Sequence, residues 1–215
     1  MLNQIDRYYC IHQKTCEWLK IDPMSREVYW LQKRNKVSEC DILTQCGAAK
    51  KNLNIYINRR VELLEQSEYL SLDEVHPGVY RALSNLMPHY NLVIVTLRHN
   101  KETLHRQLSD LKLDRYFRAV LNGGGATTPA YHEKVKMITD WLGKDLSNGW
   151  LFGDTETDIL TGSSLGFRTV VTEFGIRSMD VLEPYSPNFT ICSWEMETWP
   201  SNLLHSLKIA SKDFQ

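Results

Sequence analysis

One stretch constrains the fold of this chain more than any other: Leu92-Val93-Ile94-Val95-Thr96-Leu97, apolar but for one hydroxyl and rich in β-branched side chains. A run without polar alternation suits a strand covered on both faces, as in a parallel sheet flanked by helices. The following residues repeat the theme. A helical pattern over 102–111 leads to Ala119-Val120-Leu121 and then Gly123-Gly124-Gly125, and another over 134–142 leads to Trp150-Leu151-Phe152. GDTETD and a helix to Leu165 come next, then a strand over Arg168–Thr172, a short strand at Phe189-Thr190-Ile191-Cys192 and a terminal helix. Strand and helix in strict alternation imply right-handed crossovers and a parallel sheet. A helix over 77–87 precedes this region, with Pro77 at a first-turn position that suits proline.

The first third reads differently. Apolar residues recur there at three and four, in groups such as Tyr8, Ile11, Cys16 and Leu19, or Ile55, Tyr56, Val61 and Leu64. That spacing predicts four helices and no strand. The chain therefore divides into a helical module over 4–75 and an α/β core over 76–215.

Composition narrows the function. Charges of both signs are interspersed and the formal net charge is −1, so no basic stripe points to nucleic acid. No apolar run reaches membrane-spanning length, and MLNQIDRYYC carries no signal-peptide core. Five cysteines without a CxxC pair argue against a disulfide framework or a zinc site, and the simplest compartment is the cytoplasm. Nothing in the sequence fixes an oligomeric state.

Three polar groups fall at the carboxyl ends of predicted strands, where open parallel sheets place their chemistry. In Gly153-Asp154-Thr155-Glu156-Thr157-Asp158, Asp154 ends a strand and Asp158 lies one helical turn on. Acidic groups this close repel one another unless a cation intervenes, and magnesium prefers one or two carboxylates plus water and phosphate. The same run also reads as an acidic, capped helix N-terminus. Thr96 ends the Leu92 strand, where a hydroxyl and the free N–H groups of the next turn can cradle phosphate; it equally reads as one more strand residue. Lys134 opens a helix, where the dipole disfavours a cation, so an anionic partner would explain it. Lys136 points elsewhere, so one lysine of the two is expected to reach the site. A solvated lysine is the plain alternative.

In this order and spacing, Thr96, Lys134 and the Asp154/Asp158 pair resemble motifs II, III and IV of the haloacid dehalogenase-like hydrolases. The similarity spans about 77–175, and the helical module resembles that family's C1 cap. The resemblance implies a Rossmannoid parallel sheet under a helical cap. It also implies magnesium-dependent phosphatase chemistry on a small phosphorylated metabolite through an aspartyl-phosphate. Asp154 and Asp158 would hold Mg2+, Thr96 and Lys134 would serve catalysis, and Thr96, Arg98 and Lys134 would bind the phosphate. A dehalogenase needs no metal, so Lys134 and GDxxxD fit the phosphatase branch better.

One part of the family pattern is not matched. Its motif I, an apolar strand ending in DxD that carries the nucleophile, should precede the cap, and neither Asp6 nor Asp22 fits it. That strand is the centre of the family's sheet, between the strands that end here at Thr96 and Asp154. Without it those two are expected roughly 9–10 Å apart, twice the normal spacing. The 215-residue chain is accordingly expected to be inactive, either because its recorded start omits the nucleophile segment or because it is a non-catalytic metal- and phosphate-binding relative. On the substrate side, Lys33-Arg34-Asn35-Lys36 in the cap is a candidate anion-binding cluster or a solvated helix end.

Overall fold

The computed structural model describes residues 1–49, 51, 53–124, 129–143 and 149–195. Two short strands form the neck of the molecule. β1 (Leu2–Asn3) pairs antiparallel with β2 (Glu74–Val75), Leu2 opposite Val75. The sequence predicts no strand in this third of the chain, because a two-residue ladder leaves no periodic signal. Between the two strands lie α1 (Ile5–Leu19), α2 (Arg26–Arg34), α3 (Glu39–Gln45), α4 (Leu53–Leu63) and α5 (Ser67–Leu70).

Local chemistry sets the ends of these helices. α1 stops at Lys20, which turns left-handed with φ 56° just before Asp22-Pro23. Ser25 and Ser38 cap α2 and α3 by accepting from the N–H groups of Val28 and Asp41. Their apolar faces bury Ile11, Cys16, Tyr29, Ile42, Leu43 and Leu53. A polar centre runs through this small core. The Glu39 carboxylate accepts from Lys33 at 2.7 Å and from the Tyr29 hydroxyl at 3.2 Å, and pairs with Arg60 at 2.8 Å.

The neck leads into the core. α6 (Val79–Leu86) starts two residues later than Pro77 predicts, because Gly78 turns left-handed (φ 81°) to cap it. A Cβ at Gly78 would lie 2.5 Å from the Trp194 carbonyl oxygen, so only glycine fits that crossing. The order then alternates: β3 (Val93–Thr96), α7 (Lys101–Asp110), β4 (Ala119–Asn122), α8 (Ala130–Leu142), β5 (Trp150–Gly153), α9 (Glu156–Leu165), β6 (Arg168–Thr172), α10 (Met179–Leu182) and β7 (Phe189–Ile191). Gly125 and the expected terminal helix lie outside the described residues.

Among the described residues every strand pairing in the core is parallel, and the strands make two sheets. β3 pairs with β4, and β5 pairs with β6, which pairs with β7. Between β3 and β5 runs a cavity of about 690 Å³, lined along its length by Val93, Ile94 and Val95 on one side and Trp150, Leu151 and Phe152 on the other. Among the described residues, no strand is hydrogen-bonded between β3 and β5. The largest apolar cluster spans both half-sheets, with Val79, Leu83, Leu86, Leu104 and Leu108 from α6 and α7 packed against Ile94, Val120, Trp150 and Phe152.

Candidate active site

The carboxyl ends of β3 and β5 open at one end of this cavity, where Thr96, Arg98, Lys134, Asp154 and Asp158 all contribute to its lining. The five residues picked out from the sequence thus share one crevice, although they come from three segments spread over some sixty positions.

Asp158 is the most constrained of them. Its Oδ1 accepts from Lys134 Nζ at 2.6 Å, while Oδ2 accepts from the Thr155 hydroxyl at 2.7 Å and from the N–H groups of Asp154 and Thr155 at 3.2 Å. Thr155 and Asp158 form a reciprocal capping box at the start of α9. Burial pushes the Asp158 carboxyl up, but Lys134, the Thr155 hydroxyl and the Asp154 N–H outweigh it and hold the group below the usual carboxylate range. Gly153 makes this closeness possible, since a Cβ there would sit 2.3 Å from the side chain of Asp158. Asp158 is therefore a buried anchor for Lys134 and the turn.

Asp154 is different. Its hydrogen bond from the protein, the Ile176 N–H at 3.0 Å, falls on Oδ2. Burial raises its carboxyl above the ordinary value, the Asp158 charge raises it further, and the Ile176 N–H, the Met1 amino group and Lys134 only partly offset this. A partly buried carboxylate that lines a crevice beside a second carboxylate suits a hard divalent cation. The residues present therefore fit Mg2+, which Asp154 would hold.

Lys134 and Lys136 are separated as the helical spacing requires. Lys134 is largely buried against Asp158, whereas Lys136 pairs with Asp140 on the exposed face of α8. Thr96 ends β3, with its hydroxyl accepting weakly from the Arg98 N–H at 3.4 Å.

Arg98 is already engaged. Its guanidinium donates to Glu65 at 3.0 and 3.1 Å and to Gln107 Oε1 at 2.5 Å. Gln107 in turn donates to Asp73, which lies 3.0 Å from Arg7. This chain of buried polar groups joins α1, the neck and α7. No sequence pattern announces it, because its members are spread over a hundred residues.

The basic cluster at the end of α2 also has partners. Lys36 pairs with Glu156 at 2.7 Å, and Lys33 is committed to Glu39. Arg34 donates to the Glu173 carbonyl and accepts on its own carbonyl from Ser178 N–H. Asn35 accepts from the Ser178 hydroxyl at 2.9 Å, and Arg177 bridges Glu156 and the Lys33 carbonyl. The cluster clasps the cap to the core, with Asn35 and Lys36 still exposed at its edge.

A third group lies deep in the cap. The ligand atoms of His12, Cys16 and Cys46 lie within 4.8 Å of one another, a closeness that the scattered cysteines of the sequence do not announce. Burial lowers His12 to about 4 and raises Cys16 to about 12, so both are neutral. His12 stacks on Tyr29 with ring centroids 4.4 Å apart.

Comparison with known proteins shows the family and the fold. The sequence model of the haloacid dehalogenase-like hydrolases matches residues 1–172. The chain belongs to that family. A pyrophosphatase, PpaX, from Halalkalibacterium halodurans is 27% identical over 124 residues, and the match covers 57% of each chain. The chain thus spans a little over half the length of that curated relative. Among solved structures, a haloacid dehalogenase-like hydrolase from Streptococcus pneumoniae superposes with a TM-score of 0.76 at 13% identity, covering 96% of this chain and 92% of that one. A hydrolase of the same superfamily from Geobacter sulfurreducens gives 0.69 at 17% identity, covering 96% and 91%. These likenesses establish the fold. No helix among the described residues is long and apolar enough to cross a membrane.

Proposed function

We propose that this crevice is the metal- and phosphate-binding half of a magnesium-dependent phosphatase site for a small phosphorylated metabolite. The observation that carries the reading is the grouping of Lys134, Asp158 and Asp154 at the carboxyl ends of β3 and β5. The name of the pyrophosphatase relative points the same way. Asp154 would hold Mg2+, which when bound would draw negative charge from the phosphate oxygens. Asp158 would keep Lys134 aimed into the crevice, where its charge would meet the phosphate. Thr96 and the turn after β3 would donate to a second phosphate oxygen. Arg98 would support the site from behind, through Glu65 and Gln107, in place of direct phosphate binding.

The family route to an aspartyl-phosphate needs an attacking carboxylate between Thr96 and Asp154. Asp154 and Asp158 are the only acidic residues lining the cavity among the described residues. Asp6 pairs instead with Arg26 in the cap. That favours a second reading for the 215-residue chain alone, as a binder of Mg2+ and phosphate without turnover.

Calorimetric titration with Mg2+ and then inorganic phosphate, beside an aryl-phosphate hydrolysis assay, tests both readings. The expected result is Mg2+ binding that Asp154→Asn abolishes, phosphate binding that Lys134→Met abolishes, and no turnover. Robust turnover by this chain would overturn the second reading. Failure to bind either ligand would overturn both.

A further inference from the structure

The cap holds a cluster of ligand-type side chains that the crevice does not use. His12 and Cys16 lie one turn apart on α1, so both side chains fall on the same face of that helix. Cys46 ends α3 as its C-cap residue, and its sulfur completes the group, with one ligand atom from each residue within 4.8 Å of the others. His12 and Cys16 are fully buried, and Cys46 is partly exposed.

The protein serves this imidazole poorly. Among the described residues, the hydrogen-bond partner of either ring nitrogen is the Cys16 sulfur, 3.7 Å from Nε2 and 3.8 Å from Nδ1. Buried polar groups are nearly always hydrogen-bonded, and a thiol is only a weak donor and acceptor. Thiolate and imidazole together suit zinc. Zinc holds sulfur at about 2.3 Å and nitrogen at about 2.0–2.1 Å, which puts two such ligands roughly 3.6 Å apart at a tetrahedral angle. The separation of His12 and Cys16 is close to that span. Because the sulfur is nearly equidistant from the two nitrogens, the ring must turn about its soft χ2 torsion until one nitrogen faces the metal. Two thiolates balance the charge of Zn2+, and a group without net charge suits the apolar shell of Leu43, Ala48 and Leu53 around Cys16.

We infer that His12, Cys16 and Cys46 form a zinc site in the cap, which ties α1 to the end of α3. Each thiol gives its proton to solvent on binding, and the imidazole binds in its neutral form. Water takes the fourth position of the tetrahedron on the side of Cys46, the partly exposed ligand. The lack of a CxxC pair argues against zinc in the sequence, whereas a helical HxxxC pair joined by a cysteine from another helix is a set that only the fold assembles. None of the three residues lines the crevice cavity, so the site is independent of the phosphatase reading and its test needs no turnover.

The full chain, stripped of metal under reducing conditions and kept in excess Mg2+, is titrated with Zn2+ and separately with Co2+. Co2+ is the spectroscopic probe, since thiolate ligation gives it an intense ultraviolet charge-transfer band that oxygen ligands do not. The expected result is one tightly bound Zn2+ per chain, and a Co2+ thiolate band that Zn2+ displaces. Both should persist in Asp154→Asn, which separates this site from the crevice, and in Cys192→Ser, which removes the exposed cysteine. Cys46→Ala, its folding checked by urea unfolding without metal, should bind Zn2+ more weakly by at least the ~10–100-fold that loss of an outer-shell partner costs. A folded Cys46→Ala that binds as the parent does would overturn the proposal. So would a parent chain that binds no Zn2+, or whose Co2+ complex lacks the thiolate band or loses it with Cys192. Should Cys46→Ala not fold, the Co2+ spectra of the parent and of Cys192→Ser decide the matter alone.

Discussion

Lys134 Nζ lies 2.6 Å from Asp158 Oδ1, with both side chains largely buried, and the second oxygen of the same carboxylate is held by Thr155 and the Asp154 N–H. Removing one partner of such a pair leaves an uncompensated buried charge. Lys134→Met should therefore cost about 3–5 kcal/mol of stability in urea unfolding. Lys136→Met removes an exposed pair and should change stability by no more than about 0.5 kcal/mol. Equal effects of the two substitutions would contradict the assignment of Lys134 to the crevice.

The turn that positions this pair depends on Gly153. In Gly153→Ala the new methyl would sit 2.3 Å from the Asp158 side chain, so either the strand end or the helix start must move. Overpacking of this kind costs about 1–3 kcal/mol. It should also loosen the capping box, which amide exchange at Thr155 and Asp158 would register. Unchanged exchange with unchanged stability would mean that the turn has more room than its geometry implies.

How much of this was legible beforehand follows from distance along the chain. The parallel core could be read because buried strands such as Val93–Thr96 are apolar runs of local origin. Thr96, Lys134, Asp154 and Asp158 could be picked out because each sits at a strand end or a helix start. The engagement of Arg98 could not, because Glu65 is 33 residues away and α5 and the neck intervene. The cap clasp was equally hidden: a run such as Lys33-Arg34-Asn35-Lys36 looks solvated until the fold brings Glu156 and the 173–178 loop against it. β1 and β2 were missed since two residues show no alternation.

That clasp makes a separate prediction. Glu156 takes both Lys36 and Arg177, at 2.7 and 3.2 Å. Burial pushes its carboxyl up, but the two cations and a backbone N–H outweigh this and hold it below its usual value. A depressed carboxyl contributes stability that is present above its unfolded value, near 4.5, and is lost as pH falls through the lower folded one. Because Lys36 is half exposed, Glu156→Gln should cost only about 1 kcal/mol. Its larger effect should be faster exchange in residues 173–178 at pH 7, with β3 and β4 unaffected.

His12 gives the clearest dependence on pH. It is fully buried against Tyr29, and burial lowers its value from 6.5 to about 4. The unfolded chain therefore binds a proton here that the folded chain refuses. Stability is at its full value above about pH 6.5 and declines as pH falls from there toward 4. Between pH 7 and pH 5 the loss from this one residue should be roughly 2 kcal/mol, from 1.36 kcal/mol per pH unit over the span it covers. His12→Phe keeps an aromatic ring against Tyr29 and removes the titration. Urea midpoints measured at the two pH values should therefore draw together in the variant by about that amount. A gap as wide as in the parent chain would place the acid sensitivity elsewhere, with His76, whose value burial also lowers to about 4, as the next group to replace.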